Sequence, residues 1–462
     1  MMGSSLKLIS ELLLVFCLFT AISIITNVTQ HQITYNQGKG WDGVEYYSLA
    51  KQMIGKETLK GDGPYVYRIG TPFLASLIPL DDISLRFKIA NIIACLVLVV
   101  LLAYWLRLYI PNAAIRLIMM LLFMTQWHAP IRFMYYYPIY TDPWALVFIM
   151  AGLILIHKGA ASRSNVYTYW VAALSFAGVF FREVVILIPI TWWYAKNSAN
   201  IRQLAHGISG RLFKIETKER VAKDERIYVV KALFRETIPL IAGIAAVIMI
   251  RAIVHQSNPY QFTKTAMSWM YDKPILTYVH AWFIAFGPII VIPLLNWGMV
   301  KEWFKTHSFH TMFMIMICIL GWVGGSDTER IIYWGMPIVY VIIGLSIVNK
   351  IDLIKHSPFL VAFMICVQCI SQRILWYIPD YPLSTLNQAN GIIAMIGKVL
   401  NTHTILFLTV VGSSGNYLDL FSFYSELPIR VVGLFQYVMV CIVLLVWMRI
   451  RDISLGHQGF VE

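Results

Sequence analysis

The chain has 462 residues, of which 58% are hydrophobic and 13% charged, with a net charge of +13 and a mean hydropathy of +0.67. Soluble globular proteins carry roughly 25% charged residues, so this composition excludes them and points to a polytopic membrane protein. The positive charge is not spread as a nucleic-acid footprint, and no nucleic-acid-binding motif accompanies it, so a nucleic-acid partner is not expected.

Continuous apolar runs of about 20 residues span a bilayer as helices, the simplest way to satisfy backbone groups in lipid. The predicted fold is an all-α transmembrane bundle of about twelve helices, between eleven and thirteen. Expected spans are 8–27, 84–106, 113–127, 141–157, 166–181, 184–195, 237–254, 276–298, 309–323, 333–348, 357–375 and 430–448. Lys7 precedes the first run and no convincing cleavage site follows it, which predicts an uncleaved signal-anchor. The sequon Asn27-Val28-Thr29 sits too close to the membrane to weigh. Residues 28–83 form a first outer loop, with a short amphipathic helix over 42–54 using Tyr47, Leu49, Ala50 and Met53 as apolar contacts. Arg182-Glu183 interrupts the long apolar stretch 166–195 and splits it in two.

Ten Lys/Arg lie between Lys196 and Arg235. With Arg107, Arg116, Lys158, Arg163, Lys301, Lys305, Lys350, Lys355, Arg449 and Arg451 they place one set of connections inside, by the positive-inside rule. Lys39, Lys51, Lys56 and Lys60 run against the pattern, in a loop long enough to be translocated regardless. The basic loop 196–235 carries Leu212, Ile215, Val229, Val230 and Leu233 among its charges, suiting either an amphipathic helix on anionic lipid or a solvated one. Residues 376–429 are a second large outer segment, with a Gly412-Ser413-Ser414-Gly415 breaker, an apolar run at 404–411 and aromatics at Phe421–Tyr424. All six cysteines fall in apolar segments, where Cys366-x-x-Cys369 reads as two small hydrophobes rather than a redox pair.

Four acid and arginine groups fall on the predicted outer side: Trp41-Asp42 and Glu45 with Arg68; Arg132 with Asp142; Arg182-Glu183; and Asp327-Thr328-Glu329-Arg330. Several have a plain structural alternative, and Thr328-Glu329-Arg330 suits an ordinary helix-start turn. Arg182-Glu183 suits an ion pair between short helices, Asp142-Pro143 suits a helix start, and Arg132 suits a headgroup anchor. Their coincidence on one face favours a shared site. Arginine grips phosphate bidentately, so Arg68, Arg182 and Arg330 are candidates for holding a lipid phosphate. Asp42 is the candidate general base, with Glu45 as helper or as ligand to a possible divalent metal. Trp41, Tyr46, Tyr47, Tyr67, Tyr135, Tyr136 and Trp334 could stack on sugar rings or form an interfacial belt. Asp142, Glu183, Asp327 and Glu329 complete the polar lining. His128 is the histidine nearest the charged set.

Trp41-Asp42-Gly43 with Tyr46-Tyr47 and Ala50, then Tyr65-x-Tyr67-Arg68-Ile69-x-Thr71-Pro72-Phe73-Leu74-Ala75, resemble bacterial members of the GT-C superfamily of polytopic glycosyltransferases. Thr141-Asp142-Pro143 and Phe181-Arg182-Glu183 are similar to elements of the same group, and Asp327-Thr328-Glu329-Arg330 more loosely so. The resemblance covers roughly the first 200 residues. It implies a polyprenyl-phosphate sugar donor, a lipid-linked or cell-surface glycan acceptor, an extracytoplasmic site, inversion at the sugar carbon, and Asp42 as base. The chain departs from the family in having no adjacent acidic pair at Asp42 and no large soluble C-terminal domain, which leaves acceptor recognition to the outer loops, chiefly 377–429. A flippase of polyprenyl-linked glycans predicts mid-membrane charges and repeated halves, neither of which is visible. An envelope glycan polymerase or ligase predicts an arginine-rich outer loop, and 377–429 has few arginines.

Overall fold

A computed structural model describes residues 2–162, 164–198, 234–374, 377–381, 417–425 and 427–458. The amphipathic stretch expected in the basic loop, and the 404–411 run with its Gly-Ser breaker, lie outside the described residues.

The described residues are helical almost throughout. In order come α1 (Met2–Thr29), α2 (Gly43–Gly55), α3 (Gly70–Ser76), α4 (Ile83–Tyr109), α5 (Ala113–Thr125), α6 (Pro130–Tyr136), α7 (Asp142–Ala161) and α8 (Val166–Val179). Among the described residues six helices are long and apolar enough to cross a membrane, or eight if each of two bent pairs is one span. This is the architecture of a multi-pass membrane protein. Exposed Ile241, Ile248, Leu445 and Val446 on such helices are what a lipid-facing surface requires. The one two-stranded pairing described, β1 (Lys60–Gly61) parallel to β2 (His255–Gln256), ties the loop before α3 to the end of helix Ile238–Ile253.

Local chemistry sets the element ends. The Asp82 carboxylate accepts from the Ser84 N–H (2.8 Å) to start α4, and the Asn112 side chain accepts from the Ile115 N–H (3.2 Å) to start α5. α8 stops at Val179, and a 3₁₀ turn at Glu183–Ile186 precedes the next helix at 187–198, so the 166–195 stretch is two helices. The segment expected as a single helix over 276–298 departs from that expectation. Ile275–Phe286 and Pro288–Leu295 meet at 110°. The cause is Gly287, whose φ of +75° favours glycine and where a Cβ would lie 2.5 Å from the Gln368 amide. Gln368 bridges the break: its Nε2–H donates to the Phe286 carbonyl (2.9 Å) and its Oε1 accepts from the Ile289 N–H (3.1 Å). The expected span 333–348 is a helix at Met336–Asn349, with Pro337 in its first turn, preceded by the short helix Thr328–Tyr333.

α2 is amphipathic, with one change of face. Tyr46, Leu49 and Ala50 are buried, whereas Tyr47 and Met53 are only partly so. Positions 46, 49 and 50 make the i, i+3, i+4 stripe that a helix buries on one side. All six cysteines are free.

Candidate active site

A cavity of about 420 Å³ opens between the start of α2, α6, the start of α7 and the Ser326–Trp334 segment, with Tyr381, Tyr417, Phe421 and Tyr424 from the late chain closing one wall. Asp42, Asp142, Asp327 and Arg330, far apart in sequence, all line it.

Asp42 reaches the wall because the loop before α2 lies directly on the Tyr137 ring. A Cβ at Gly40, which has φ +69°, would stand 2.3 Å from Tyr137 Cε2, and one at Gly43 would stand 2.8 Å from Tyr137 Oη. The Gly43 N–H donates to Tyr137 Oη (2.6 Å), and the Tyr137 hydroxyl donates to Asp42 Oδ1 (2.7 Å). On the other oxygen, the Tyr46 hydroxyl donates to Asp42 Oδ2 (3.4 Å) while accepting from Arg68 Nη1 (2.9 Å). Withdrawal from water pushes the Asp42 carboxyl up. Arg330, the Tyr137 hydrogen bond, Arg68 and Arg182 outweigh it and hold the carboxyl below its usual value. Asp42 is therefore ionised at neutral pH.

The three arginines are each matched to acids. Arg68 Nε pairs with Glu183 Oε2 (3.0 Å). Arg182 pairs with Asp142 Oδ1, donates to Thr141 Oγ1 (3.2 Å) and lies over the Trp334 ring (4.8 Å). Arg330 pairs through Nε with Asp142 Oδ2 (3.4 Å) and through Nη2 with Asp327 Oδ2 (2.7 Å). Asp142 is the first helical residue of α7, with Thr141 at the cap; its carboxylate bridges two guanidiniums and does not cap the helix. Among the described lining residues the guanidinium facing the cavity is that of Arg330.

Other expected site residues are elsewhere. Glu45 Oε2 accepts from the Asp62 N–H (3.0 Å) and braces the following loop rather than assisting Asp42. Tyr67 donates to Gln256 Oε1 (2.5 Å) beneath Arg251, and Tyr47 packs under Lys39. Arg132 donates to the Thr125 (2.7 Å) and Gln372 (3.3 Å) carbonyls. Arg68, Arg182, Tyr46 and Glu183 stand behind the wall, acting on Asp42 through charge and hydrogen bonds. Among the described residues no group of three or more His, Cys, Asp or Glu side chains is arranged to hold a metal ion. Residues that sequence analysis did not single out supply much of the lining. Tyr137 was visible only within a tyrosine triplet. Tyr417, which stacks on Trp41 (5.0 Å, 21°), carried no signal at all. The glycines flanking Trp41-Asp42 were the available hint, since they permit the close approach of a ring.

Tyr137→Phe is expected to free Asp42 Oδ1 and leave the Gly43 N–H unpaired. The expected cost is about 1–3 kcal/mol for the buried donor. Losing the tyrosine hydrogen bond raises the Asp42 pKa, so the acid limb of any activity resting on Asp42 moves to higher pH. A pH–rate profile of the variant checks this.

Glu329, in the short helix outside the candidate spans, is fully buried. Its Oε2 accepts from the Ser422 hydroxyl (2.6 Å). Burial pushes its pKa up to about 7; the Ser422 hydrogen bond opposes this and Asp327 adds to it. The folded state thus keeps a proton that the unfolded chain releases at about pH 4.3. Stability is expected to fall as pH rises from there through about 7. Melting of the detergent-solubilised protein at pH 5.5 and 8 checks the sign, and Glu329→Gln should remove the difference.

No family model, curated protein or solved structure matches this chain.

Proposed function

We propose that the protein is a glycosyltransferase of GT-C type, moving a sugar from a polyprenyl-phosphate donor to a lipid-linked or cell-surface glycan. In this reading the chain crosses the bacterial cytoplasmic membrane about twelve times and works on the extracytoplasmic face. The six to eight candidate spans, with shorter apolar helices at 166–179, 336–349 and 358–371, leave room for that count.

The observation that carries the reading is Asp42, hydrogen-bonded to the Tyr137 hydroxyl, in the wall of an aromatic-lined cavity that also presents Arg330. An acceptor hydroxyl donates its proton to an Asp42 oxygen as its own oxygen bonds to the anomeric carbon. The bond from that carbon to the phosphate oxygen breaks, and its electron pair leaves with the polyprenyl phosphate. Arg330 stabilises the charge that grows there. Asp327 is the exchangeable partner of Arg330: its side chain is 31% exposed, against 5% for Asp142. A donor phosphate therefore replaces Asp327 on the guanidinium while Asp142 stays. Attack from the face opposite the leaving phosphate inverts the sugar carbon. The rings of Trp41, Tyr381, Phe421 and Tyr424 line the cavity and supply aromatic surface for saccharides.

The test is incubation of purified protein with synthetic polyprenyl-phosphate sugars and a panel of glycan acceptors, reading the anomer formed by NMR. Inverted product is expected. Retention of configuration rules out single displacement by Asp42.

A further inference from the structure

Among the described residues, buried polar atoms on four lining side chains have no hydrogen-bond partner: those of His128 and Trp334, and Asp142 Oδ2 and Arg330 Nε, of which the last two face each other as an ion pair. Both ring nitrogens of His128 and the indole Nε1 of Trp334 are in this state, on side chains that are 7% and 5% exposed as residues. Leaving such groups unpaired costs about 1–3 kcal/mol each, and native proteins seldom tolerate it without a reason. The neighbouring polar groups are already committed. Tyr137 donates to Asp42, and Tyr140 donates to the Pro130 carbonyl (2.9 Å). Arg330 Nε and Asp142 Oδ2 answer each other's charge at 3.4 Å without a hydrogen bond, while Asp142 Oδ1 is held by Arg182 and Arg330 Nη2 by Asp327. His128 and Trp334 are held rigidly. His128 packs edge-on to Trp127 (4.7 Å) and Tyr333 (5.9 Å), and Trp334 is clamped under the Arg182 guanidinium (4.8 Å).

We infer that His128 and Trp334 take hydroxyl groups of the sugar being transferred and determine which sugar the protein accepts. A neutral imidazole offers one donor and one acceptor, and an indole offers one donor. A sugar hydroxyl both donates and accepts, so a pyranose satisfies this set, whereas an apolar group leaves it unpaired. Arg330 and Asp42 line the same cavity, so a sugar seated on His128 and Trp334 shares it with the phosphate grip and the base. A site that hydrogen-bonds a hydroxyl rejects the analogue lacking it far more strongly than an apolar pocket rejects an extra group. This inference rests on the transferase reading and names the discriminating residues within it.

The test uses the full-length protein in detergent with three ligands: polyprenyl phosphate without sugar, a sugar-bearing donor, and its mono-deoxy analogues. Binding and transfer are both read. Wild type is expected to lose at least about 100-fold in kcat/KM for one deoxy analogue. Trp334→Phe and His128→Phe are expected to lose a similar factor on the parent sugar and little on that analogue, so discrimination collapses. Binding of sugarless polyprenyl phosphate should be unchanged. His128→Gln, which keeps a donor and an acceptor, should retain part of the discrimination. The melting temperature of His128→Phe should equal or exceed wild type, because an unpaired buried group has been removed and the replacement ring is no smaller. Wild-type discrimination in both phenylalanine variants would overturn the inference, as would an equal loss on every donor with a lowered melting temperature. Wild type binding no sugar-bearing donor at all would overturn the transferase reading, and this inference with it.

Discussion

Asp42→Asn is expected to abolish sugar transfer, lowering kcat by about 10²–10⁴-fold, the usual contribution of a positioned general base. The substitution keeps the shape of the side chain and can still accept from Tyr137, so the loop before α2 should stay on the Tyr137 ring. What it removes is the negative charge that Arg330, Arg68 and Arg182 hold in place. An amide cannot take the acceptor's proton. Donor affinity should be unchanged or slightly raised, since a carboxylate facing an anionic phosphate has been removed. A fall in kcat with KM for the donor preserved separates this role from a binding role. Since the wild-type carboxyl lies below its usual value, activity resting on Asp42 should persist down to mildly acidic pH.

Asp142→Asn is expected to be the most damaging conservative change to the structure. Its carboxylate is 5% exposed and is shared between Arg182, at 6%, and Arg330, at 19%. Burying a guanidinium is tolerable only while a partner compensates its charge. Removing one member of a buried pair costs about 3–5 kcal/mol, because the charge left behind stays unpaired. Among the described residues Arg182 would retain Thr141 and the face of Trp334. Arg330 would still have Asp327. The damage should therefore fall mainly on Arg182, so adding Arg182→Met to the Asp142→Asn variant should recover part of the lost melting temperature. A double-mutant cycle measures that coupling, and additive losses would show that the pair does not interact.

The parts of this site that the sequence makes legible are those written in charge. In an apolar chain an acid or arginine is expensive to place, so Asp42, Asp142, Asp327 and Arg330 stood out one by one, and they converge on one cavity. Helix periodicity made α2 legible, yet it did not distinguish Tyr46 from Tyr47 as the inward ring, since one residue of phase separates them. Glu45 looked like a partner for Asp42 at one-turn spacing, but its carboxylate turns to the Asp62 amide. Contacts between distant segments were not legible. Nothing local marks that the loop at Gly40–Gly43 packs on Tyr137, or that Tyr417 stacks on Trp41. The bend at Gly287 depends on Gln368, far along the chain, reaching back to satisfy the broken backbone. His128 reads as an ordinary interfacial side chain and Trp334 as a ring for stacking on sugar or for an interfacial belt; their unpaired nitrogens show only once the cavity is known.

The most direct test of the transferase assignment places wild-type protein in proteoliposomes with a radiolabelled polyprenyl-phosphate sugar and a glycan acceptor. Both the chemical fate of the label and its side of the membrane are followed. The account predicts label on the acceptor, with free polyprenyl phosphate released in equal amount and no net movement of intact donor across the bilayer. Intact donor crossing the bilayer with no label transferred to acceptor would contradict it and identify a transporter.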